Sequence, residues 1–177
     1  MVSVRNFKPE DKNDVLELGC QIFREKDEIP LLQKALSIYQ PSLSFVAVEN
    51  NSIIGFTLVC KSMTYVYSKF MTKIPNCYEL AFLGISPLAQ GRGLGTRLLK
   101  ETLIAIFQTS AQFTCWLCVD TANVAATKLY EKFGFRRWLE INNTLVPCNI
   151  MGLSHRRYIK NEKVAPPQIS YTHCIVT

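Results

Sequence analysis

A glycine-rich segment carries the most informative chemistry in the sequence. Gln90–Gly95 reads Gln-Gly-Arg-Gly-Leu-Gly and lies between an apolar run that predicts a strand and a periodic pattern that predicts a helix. Amides at a helix N-terminus lack intrahelical partners and lie at the positive end of the helix dipole, which suits a diphosphate. The three glycines permit positive φ and let a ligand approach the backbone. Arg92 and Arg97, with Lys100 one turn on, are candidates for charge-assisted contacts.

Two other glycine motifs do not fit this segment. A dinucleotide fingerprint beginning at Gly91 requires glycine at position 96, which is Thr96. A Walker loop ends in Gly-Lys-Ser/Thr, whereas this chain has Gly95-Thr96-Arg97. Taken alone, the segment is equally compatible with a flexible turn at a helix start.

A second motif follows about 30 residues later. Asn123, Ala126 and Tyr130 are spaced to share one helix face, and Gly134-Phe135 follows directly. Together the two motifs resemble the Gcn5-related N-acetyltransferase (GNAT) superfamily. Its loop matches Gln90-x-x-Gly93-x-Gly95, its second stretch matches Asn123-x-x-Ala126-x-x-x-Tyr130-x-x-x-Gly134-Phe135, and Ile85-Ser86-Pro87 is similar to its strand end. The resemblance covers about residues 78–135.

The resemblance implies direct transfer of acetyl from acetyl-CoA to a primary amine. The loop amides would hold the pyrophosphate, and the strand Tyr78–Ile85 would run beside the pantetheine arm. A backbone N–H near Leu83–Ile85 would polarise the thioester carbonyl, and Gly84 would mark a strand bulge. The implied cofactor contacts are Leu83, Gly84, Ile85, Gln90, Gly91, Arg92, Gly93, Leu94, Gly95, Thr96, Asn123 and Lys128.

The resemblance assigns Tyr130 the role of the acid that protonates the departing CoA thiolate. A phenol is a suitable donor because its ordinary pKa near 10 exceeds the thiol pKa of about 8.5. The alternative is a half-buried core tyrosine. Asn123 has two compatible roles, a contact to CoA and an N-cap of the helix.

Glu79 is the leading candidate for the base that deprotonates the amine. It interrupts an apolar strand, where a carboxylate is costly unless it is paired or used. Its spacing to the loop also resembles a glutamate that acts through water in histone acetyltransferases of the superfamily. The alternative is a rim position facing solvent. Asp120, at the end of the next strand, is the second candidate, and water relays with positioning are a third possibility.

The surrounding pattern predicts the element order β-α-α-β-β-β-α-β-α-β-β. This is one α/β (α+β) domain with a mixed sheet flanked by helices; the resemblance makes it a mostly antiparallel, twisted sheet of the GNAT-like acyl-CoA N-acyltransferase fold. We expect the domain to occupy residues 1–160 and a partly disordered tail to occupy residues 161–177, which turn polar and contain Pro166-Pro167.

Composition excludes several other classes. The chain has 177 residues, of which 48% are hydrophobic and 19% charged, as expected for a globular protein. We find no apolar run long enough to span a bilayer and no secretory signal, so we expect a soluble, cytoplasmic protein with no membrane partner. Seven scattered cysteines, including Cys20, Cys60, Cys115 and Cys118, predict reduced, buried thiols. We expect no metal.

Positive charge alone indicates only an anionic ligand. The net charge is +6, and the densest basic stretch, His155–Lys160, is interpreted as a solvated tail. A nucleic-acid partner is not expected, because neither a basic helix nor aromatic-basic interleaving is recognisable.

The acceptor is left open. A small-molecule amine is favoured, with Glu25, Asp27 and Glu28 suiting a polyamine and Tyr65, Tyr67 and Phe70 suiting an arylalkylamine. The alternatives are a protein lysine or N-terminal amine, and a non-catalytic CoA-binding regulatory module. Either a monomer or a homodimer is compatible with the sequence.

Overall fold

Seven strands form one mixed sheet in the order β1-β2-β3-β4-β5-β7-β6. The computed structural model describes residues 1–23, 28–61, 76–109, 113–142 and 147–161. Only β4 and β5 pair in parallel; every other neighbouring pair is antiparallel. The strands are β1 Ser3–Asn6, β2 Phe45–Glu49, β3 Ser52–Cys60, β4 Cys77–Ile85, β5 Thr114–Asp120, β6 Arg136–Ile141 and β7 Cys148–Ser154.

Five α-helices cover the two faces of this sheet in the described ranges. They are α1 Lys12–Ile22, α2 Glu28–Ile38, α3 Leu94–Thr109, α4 Val124–Lys132 and α5 His155–Asn161. Short 3₁₀ turns precede α1, β2 and the glycine loop, and each begins with a proline, whose fixed φ suits the first position of a turn.

Each face of the sheet has its own hydrophobic core. On the α1–α2 face, Val15 and Leu32 pack with Phe56 and Leu58 of β3. On the α3–α5 face, Leu99, Tyr130 and Tyr158 of the three helices pack against strand residues that include Leu80 and Cys115. Successive side chains of a strand point to opposite faces of the sheet, so the face that one residue occupies tells which face the next residue occupies.

The predicted element order and the mixed, mostly antiparallel sheet are confirmed. Each predicted strand and helix is present, and one further helix, α5, follows β7. The turn between β2 and β3 has Asn50 and Asn51 at φ of 50° and 62°. Asparagine tolerates this left-handed region, which a tight hairpin turn requires.

Two expectations, one about the basic stretch His155–Lys160 and one about the cysteines, are wrong. His155–Lys160 is not a solvated tail but most of α5, because Tyr158 is buried and its ring stacks on Phe107 at a centroid distance of 4.7 Å. The thiols are also not uniformly buried, since Cys20 and Cys118 are exposed. Residues 162–177, the expected tail apart from Asn161, lie outside the described residues. Among the residues described, none of the helices has the length and apolar character needed to cross a membrane.

Candidate active site

The central feature of the site is a gap in the sheet where β4 and β5 separate. The two parallel strands pair only at Cys77–Thr114, Tyr78–Cys115 and Glu79–Trp116. β4 nevertheless stays paired with β3 as far as Ile85. From Leu80 onward, the edge of β4 that faces β5 therefore has no strand partner among the described residues.

A bulge in β4 lies at the start of this gap. In the pairing of β3 with β4, Leu58 faces Phe82 and Val59 faces Leu80, which leaves Ala81 as the extra residue. An extra residue bends its strand and increases the local twist, which turns β4 away from β5. The bulge predicted at Gly84 is therefore at Ala81 instead. Gly84 is in regular register with Phe56, whose ring would lie 2.8 Å from a β-carbon at that position.

The second half of β4 is only partly buried, although a continuous apolar run is typical of a strand that is buried on both faces. Phe82, Leu83 and Ile85 are only partly buried, although they belong to a central strand. The gap exposes their side chains and the neighbouring strand edge together. An extended ligand arm can pair with such an edge and cover such side chains, as in β-strand addition.

The glycine loop follows the end of β4, after a single 3₁₀ turn. Gly91 and Gly93 have φ of 73° and 75°, and a β-carbon on either would meet nothing within 4 Å. Open space on the ligand side and left-handed backbone are the two properties expected of an anion cradle. The side-chain amide of Gln90 donates a hydrogen bond from its Nε2 to the Ile85 carbonyl oxygen at 3.5 Å.

The N-terminus of α3 follows directly from this loop. Arg97 N–H donates to the Gly93 carbonyl at 3.1 Å, so Gly93 caps the helix and the preceding amides have no carbonyl one turn earlier. A β-carbon on Gly95 would lie 3.5 to 3.9 Å from Leu129, Leu83 and Ile85, so this glycine keeps the space between β4 and α4 open. Leu94 is buried and Thr96 is partly buried.

The loop arginine has a partner that sequence patterns do not reveal. Arg92 makes two hydrogen bonds to Glu49 at the end of β2, with N–O distances of 2.6 and 2.9 Å. This pairing lowers the pKa of Glu49 and raises that of Arg92, mainly through the side-chain hydrogen bonds. Arg97 donates to the Val2 carbonyl at 3.0 Å. The guanidinium of Arg92 is therefore occupied by Glu49, whereas the backbone amide of Arg92 does not take part in this pairing.

Helix α4 brings the second motif to the same gap. Asn123 caps the helix, because its Oδ1 accepts a hydrogen bond from the Ala126 amide at 3.0 Å. The N-cap role is therefore confirmed, and the contact with CoA stays a prediction. Lys128 is exposed on the outer side of the helix.

Tyr130 is buried on the α3–α5 face, with 8% of its surface exposed. Its ring packs against Phe135 at a centroid distance of 5.7 Å, and its hydroxyl has no hydrogen-bond partner among the described residues. Burial raises its pKa above the ordinary value of 10.0, with a smaller contribution from the nearby Cys115 thiol. The phenol is therefore protonated throughout the neutral range and can donate to a ligand that enters the gap.

Glu79 lies on the opposite face of the sheet. It is the last residue of β4 that pairs with β5, and it faces Cys60 on β3 and Trp116 on β5. Cys60 belongs to the core of the α1–α2 face, and Leu80, the next residue of β4, belongs to the core of the α3–α5 face. Only 3% of Glu79 is exposed, so the alternative of a solvent-facing rim position is wrong.

The gap therefore has an ionisable group on either side of the sheet. Tyr130 approaches it from the α3–α5 face and Glu79 from the α1–α2 face, at the point where β4 and β5 begin to separate. Asp120, the second candidate base, is exposed and its Oδ1 accepts a hydrogen bond from the Ala122 amide at 2.8 Å. Glu25, Asp27, Tyr65, Tyr67 and Phe70 lie outside the described residues, whereas Glu28 is described and begins α2.

Comparisons with known proteins agree with this geometry. The profile of the acetyltransferase (GNAT) family matches residues 12–135. A mycothiol acetyltransferase from Mycobacterium leprae is 37% identical over 79 residues, which are 42% of this chain and 25% of that protein. N-alpha-acetyltransferase RimI from Mycobacterium tuberculosis is 29% identical over 128 residues, which are 72% of this chain and 73% of that protein.

The fold also matches a solved structure over most of this chain and nearly all of the other one. Arabidopsis thaliana Naa50, in complex with the bisubstrate analogue CoA-Ac-MVNAL, superposes with a TM-score of 0.67 at 20% identity, covering 86% of this chain and 98% of that one. By contrast, the chain spans only about a quarter of the length of the first mycothiol acetyltransferases that it matches.

Proposed function

Since the chain belongs to the GNAT acetyltransferase family, we propose that this enzyme transfers acetyl from acetyl-CoA directly to a primary amine. The observation that carries the proposal is the gap between β4 and β5, which has a diphosphate cradle at one end and Tyr130 and Glu79 on its two faces. Acetyl-CoA has a diphosphate, an extended arm and a terminal thioester in that order. The same order suits the glycine loop, the free edge of β4 and the Tyr130–Glu79 pair.

Binding divides between the loop and the strand edge. The amides from Gln90 to Gly95 hold the diphosphate, and the free edge of β4 pairs with the amide groups of the pantetheine arm. Leu83 and Ile85 cover the apolar part of that arm. The unpaired N–H groups of β4 beyond the bulge are the donors that stabilise the oxyanion of the tetrahedral intermediate.

The chemical step needs three proton transfers. The ammonium form of the acceptor loses one proton through Glu79, directly or by way of water, and the neutral nitrogen attacks the thioester carbonyl carbon. The carbon–sulfur bond then breaks, the nitrogen releases its second proton to water, and the sulfur receives a proton from the Tyr130 hydroxyl. The products are the N-acetyl amide and free CoA; Glu79 passes its proton to solvent, and the Tyr130 phenolate regains one from solvent.

The acceptor reaches the thioester from the α1–α2 face, because α3 and α4 occupy the other side of the sheet. The end of α1 lies at this entrance, where Phe23 packs edge-on against Phe82 of β4 at a centroid distance of 5.2 Å. This apolar wall lies on the same face as the buried carboxylate of Glu79. A small amine with an apolar or aromatic group beside its nitrogen fits this combination.

An N-terminal amine of a polypeptide is the second candidate acceptor, and a specific observation favours it. The RimI match extends over 73% of that protein, so it relates two chains of similar size rather than one shared segment. The Naa50 structure was solved with an analogue whose name joins CoA to the sequence MVNAL. An α-amine next to an apolar side chain fits the same apolar wall of Phe23 and Phe82 beside Glu79.

A thiol-release assay with the purified full chain tests the proposal. Acetyl-CoA is offered with spermidine, tryptamine, a peptide beginning Met-Val and a peptide whose only amine is an internal lysine. We expect turnover with at least one of these amines and none when its nitrogen is blocked by acetylation. The acceptor with the highest kcat/KM identifies the class.

The non-catalytic alternative gives a different result in the same experiment. A regulatory module would bind acetyl-CoA, as seen by calorimetry, without releasing thiol in the presence of any amine. Binding without turnover across a broad amine panel would therefore contradict the proposed activity while leaving the cofactor site intact.

A further inference from the structure

Positive charge is concentrated in one part of the chain. Residues 124–161 contain seven Lys or Arg against two Glu, a net charge of +5, whereas the whole chain carries +6. All seven basic residues are exposed. They are Lys128, Lys132, Arg136, Arg137, Arg156, Arg157 and Lys160. Arg137 is engaged by Glu140 at 3.1 Å.

The fold brings separate basic segments to the same end of the sheet. A β-carbon on Gly134, just after α4, would contact the side chain of Asn161, the last residue of α5. Lys132 precedes this meeting point by two residues, Arg136 follows it by two, and Lys160 adjoins Asn161. Arg157 lies one helical turn before Asn161, so it shares that side of α5.

An exposed aromatic ring lies beside one of these cations, Arg136. Arg136 pairs with Gly152 across β6 and β7, and the indole of Trp138 lies against the same Gly152. Residues directly opposite in a sheet point to one face, so Arg136 and Trp138 are neighbours on the α1–α2 side of β6. The indole is 43% exposed, although tryptophan is usually well buried.

We propose that this basic surface, defined by Lys132, Arg136, Trp138, Arg157 and Lys160, binds single-stranded nucleic acid. The cations contact backbone phosphates and the Trp138 indole stacks on an unpaired base. β6 is the last strand of the sheet, so the surface continues round an outer edge from α5 to Trp138. A flexible single strand can follow such a curved surface, which a straight duplex fits less well.

This proposal revises the expectation drawn from the sequence. A basic helix and an aromatic ring between cations were not recognisable there, and the fold supplies both as α5 and the Arg136–Trp138 pair. An acidic protein would also be attracted by the cations, and the poly-glutamate peptide in the experiment below distinguishes it from a nucleic acid. None of the five residues of the basic surface belongs to the glycine loop or to the Tyr130–Glu79 pair, so the proposal does not depend on the acetyl-transfer activity.

The experiment uses the intact chain and two oligonucleotides, U20 RNA and dT20 DNA, with a fluorescence anisotropy readout. The chain contains two tryptophans, and Trp116 is 2% exposed, so quenching of intrinsic fluorescence reports mainly on Trp138. We expect quenching on binding and a salt dependence with a log–log slope of about −3, since each phosphate contact contributes about −0.7 for single strands. The tighter of the two oligonucleotides identifies the preferred nucleic acid.

Matched variants separate this surface from bulk charge. R136Q/R157Q/K160Q should weaken binding about tenfold or more at low salt and reduce the slope by about 2. K8Q/K34Q/K61Q removes three exposed cations elsewhere and should leave affinity within about twofold. W138A should lose about tenfold in affinity with an unchanged salt slope, because stacking is not electrostatic.

Three results would overturn the proposal. The first is an equal loss of affinity in both triple variants. The second is tighter binding to a poly-glutamate peptide, or to phosphatidylserine vesicles, than to either oligonucleotide. The third is equal affinity for a 20-base-pair duplex together with no quenching. Circular dichroism of each variant confirms that it is folded, so that a loss is not misread.

Discussion

Replacing Tyr130 by phenylalanine separates the chemistry of this residue from its packing. The ring stays in place against Phe135, and only the hydroxyl is removed. That hydroxyl has no hydrogen-bond partner among the described residues, so no other described group loses a partner. We expect Tyr130→Phe to lower kcat strongly, to leave the KM for acetyl-CoA nearly unchanged, and to leave the fold as stable as before.

The magnitudes follow from these contacts. A positioned acid contributes about 10²- to 10⁴-fold to a proton transfer, and we expect the lower end because a thiolate is a good leaving group. A loss of about 100-fold in kcat corresponds to about 2.7 kcal/mol of transition-state stabilisation. The free energy of unfolding should fall by no more than about 0.5 kcal/mol, since removal of a hydroxyl that makes no hydrogen bond within the described part of the protein is nearly neutral.

Thiol release measured at saturating acetyl-CoA gives kcat, and urea unfolding gives the stability. Tyr158→Phe is the matched control, because Tyr158 is a second tyrosine of the same core but lies on α5. An unchanged kcat in Tyr130→Phe, or an equal loss in Tyr158→Phe, would remove Tyr130 from the mechanism.

The pH profile adds an independent check. Burial raises the pKa of Tyr130 above 10.0, and the protonated phenol is the active form. Activity due to this group is therefore present below that pKa and is lost only as the pH rises through it. An alkaline limb below pH of about 9 that disappears in Tyr130→Phe would contradict the environment described for the ring.

Three further perturbations address the other parts of the site and the core. Glu79→Gln should lower kcat at pH 7 by about tenfold or more, with partial recovery at higher pH as the amine deprotonates unaided; a loss independent of pH would indicate a structural role. Gly93→Ala meets open space but holds φ at 75°, so it should cost about 1 to 2 kcal/mol in urea unfolding and raise the KM for acetyl-CoA several-fold; an unchanged KM would exclude this loop as the phosphate site. Burial raises the pKa of Cys60 from 9.0 to about 12, so its stabilising contribution is complete below 9.0 and lost as the pH rises towards 12, at about 1.4 kcal/mol per pH unit. The free energy of unfolding should therefore decrease less between pH 8 and pH 10 in Cys60→Ala than in the exposed control Cys20→Ala.

Local chemistry made much of the site predictable. Gly91 and Gly93 were recognisable because a left-handed backbone at a helix start selects glycine, and both have the expected φ. Asn123 was recognisable as an N-cap because its short side chain can reach an amide three residues on. In each case the physical cause lies within four residues of its effect.

Features that join distant segments were not predictable in the same way. The Glu49–Arg92 pair spans 43 positions, and neither residue carries a local pattern that names the other. The bulge at Ala81 depends on the register of β3 against β4, and no glycine or proline marks it. Tyr158 stabilises α5 by stacking on Phe107, so the basic composition of that segment concealed a packed helix.

The gap itself has a thermodynamic consequence, because a central strand with a free edge and half-exposed apolar side chains is costly until a ligand covers it. A ligand that binds only the folded state stabilises it by about 2.7 kcal/mol at 100 times its Kd. For a chain of this size, that raises Tm by about 5 to 10 °C. Acetyl-CoA and 3′-phosphoadenosine 5′-diphosphate, compared at equal multiples of Kd, should give similar shifts.

The two ligands should differ at equal concentration. 3′-Phosphoadenosine 5′-diphosphate keeps the diphosphate of acetyl-CoA but lacks the pantetheine arm, so it cannot pair with β4 or cover Leu83 and Ile85. Its shift at 1 mM should therefore be much smaller than that of acetyl-CoA, and the heat-capacity change of acetyl-CoA binding should be the more negative, as burial of apolar surface requires. Equal shifts and equal heat-capacity changes would mean that the arm stays in solvent, and the gap between β4 and β5 would then need another occupant.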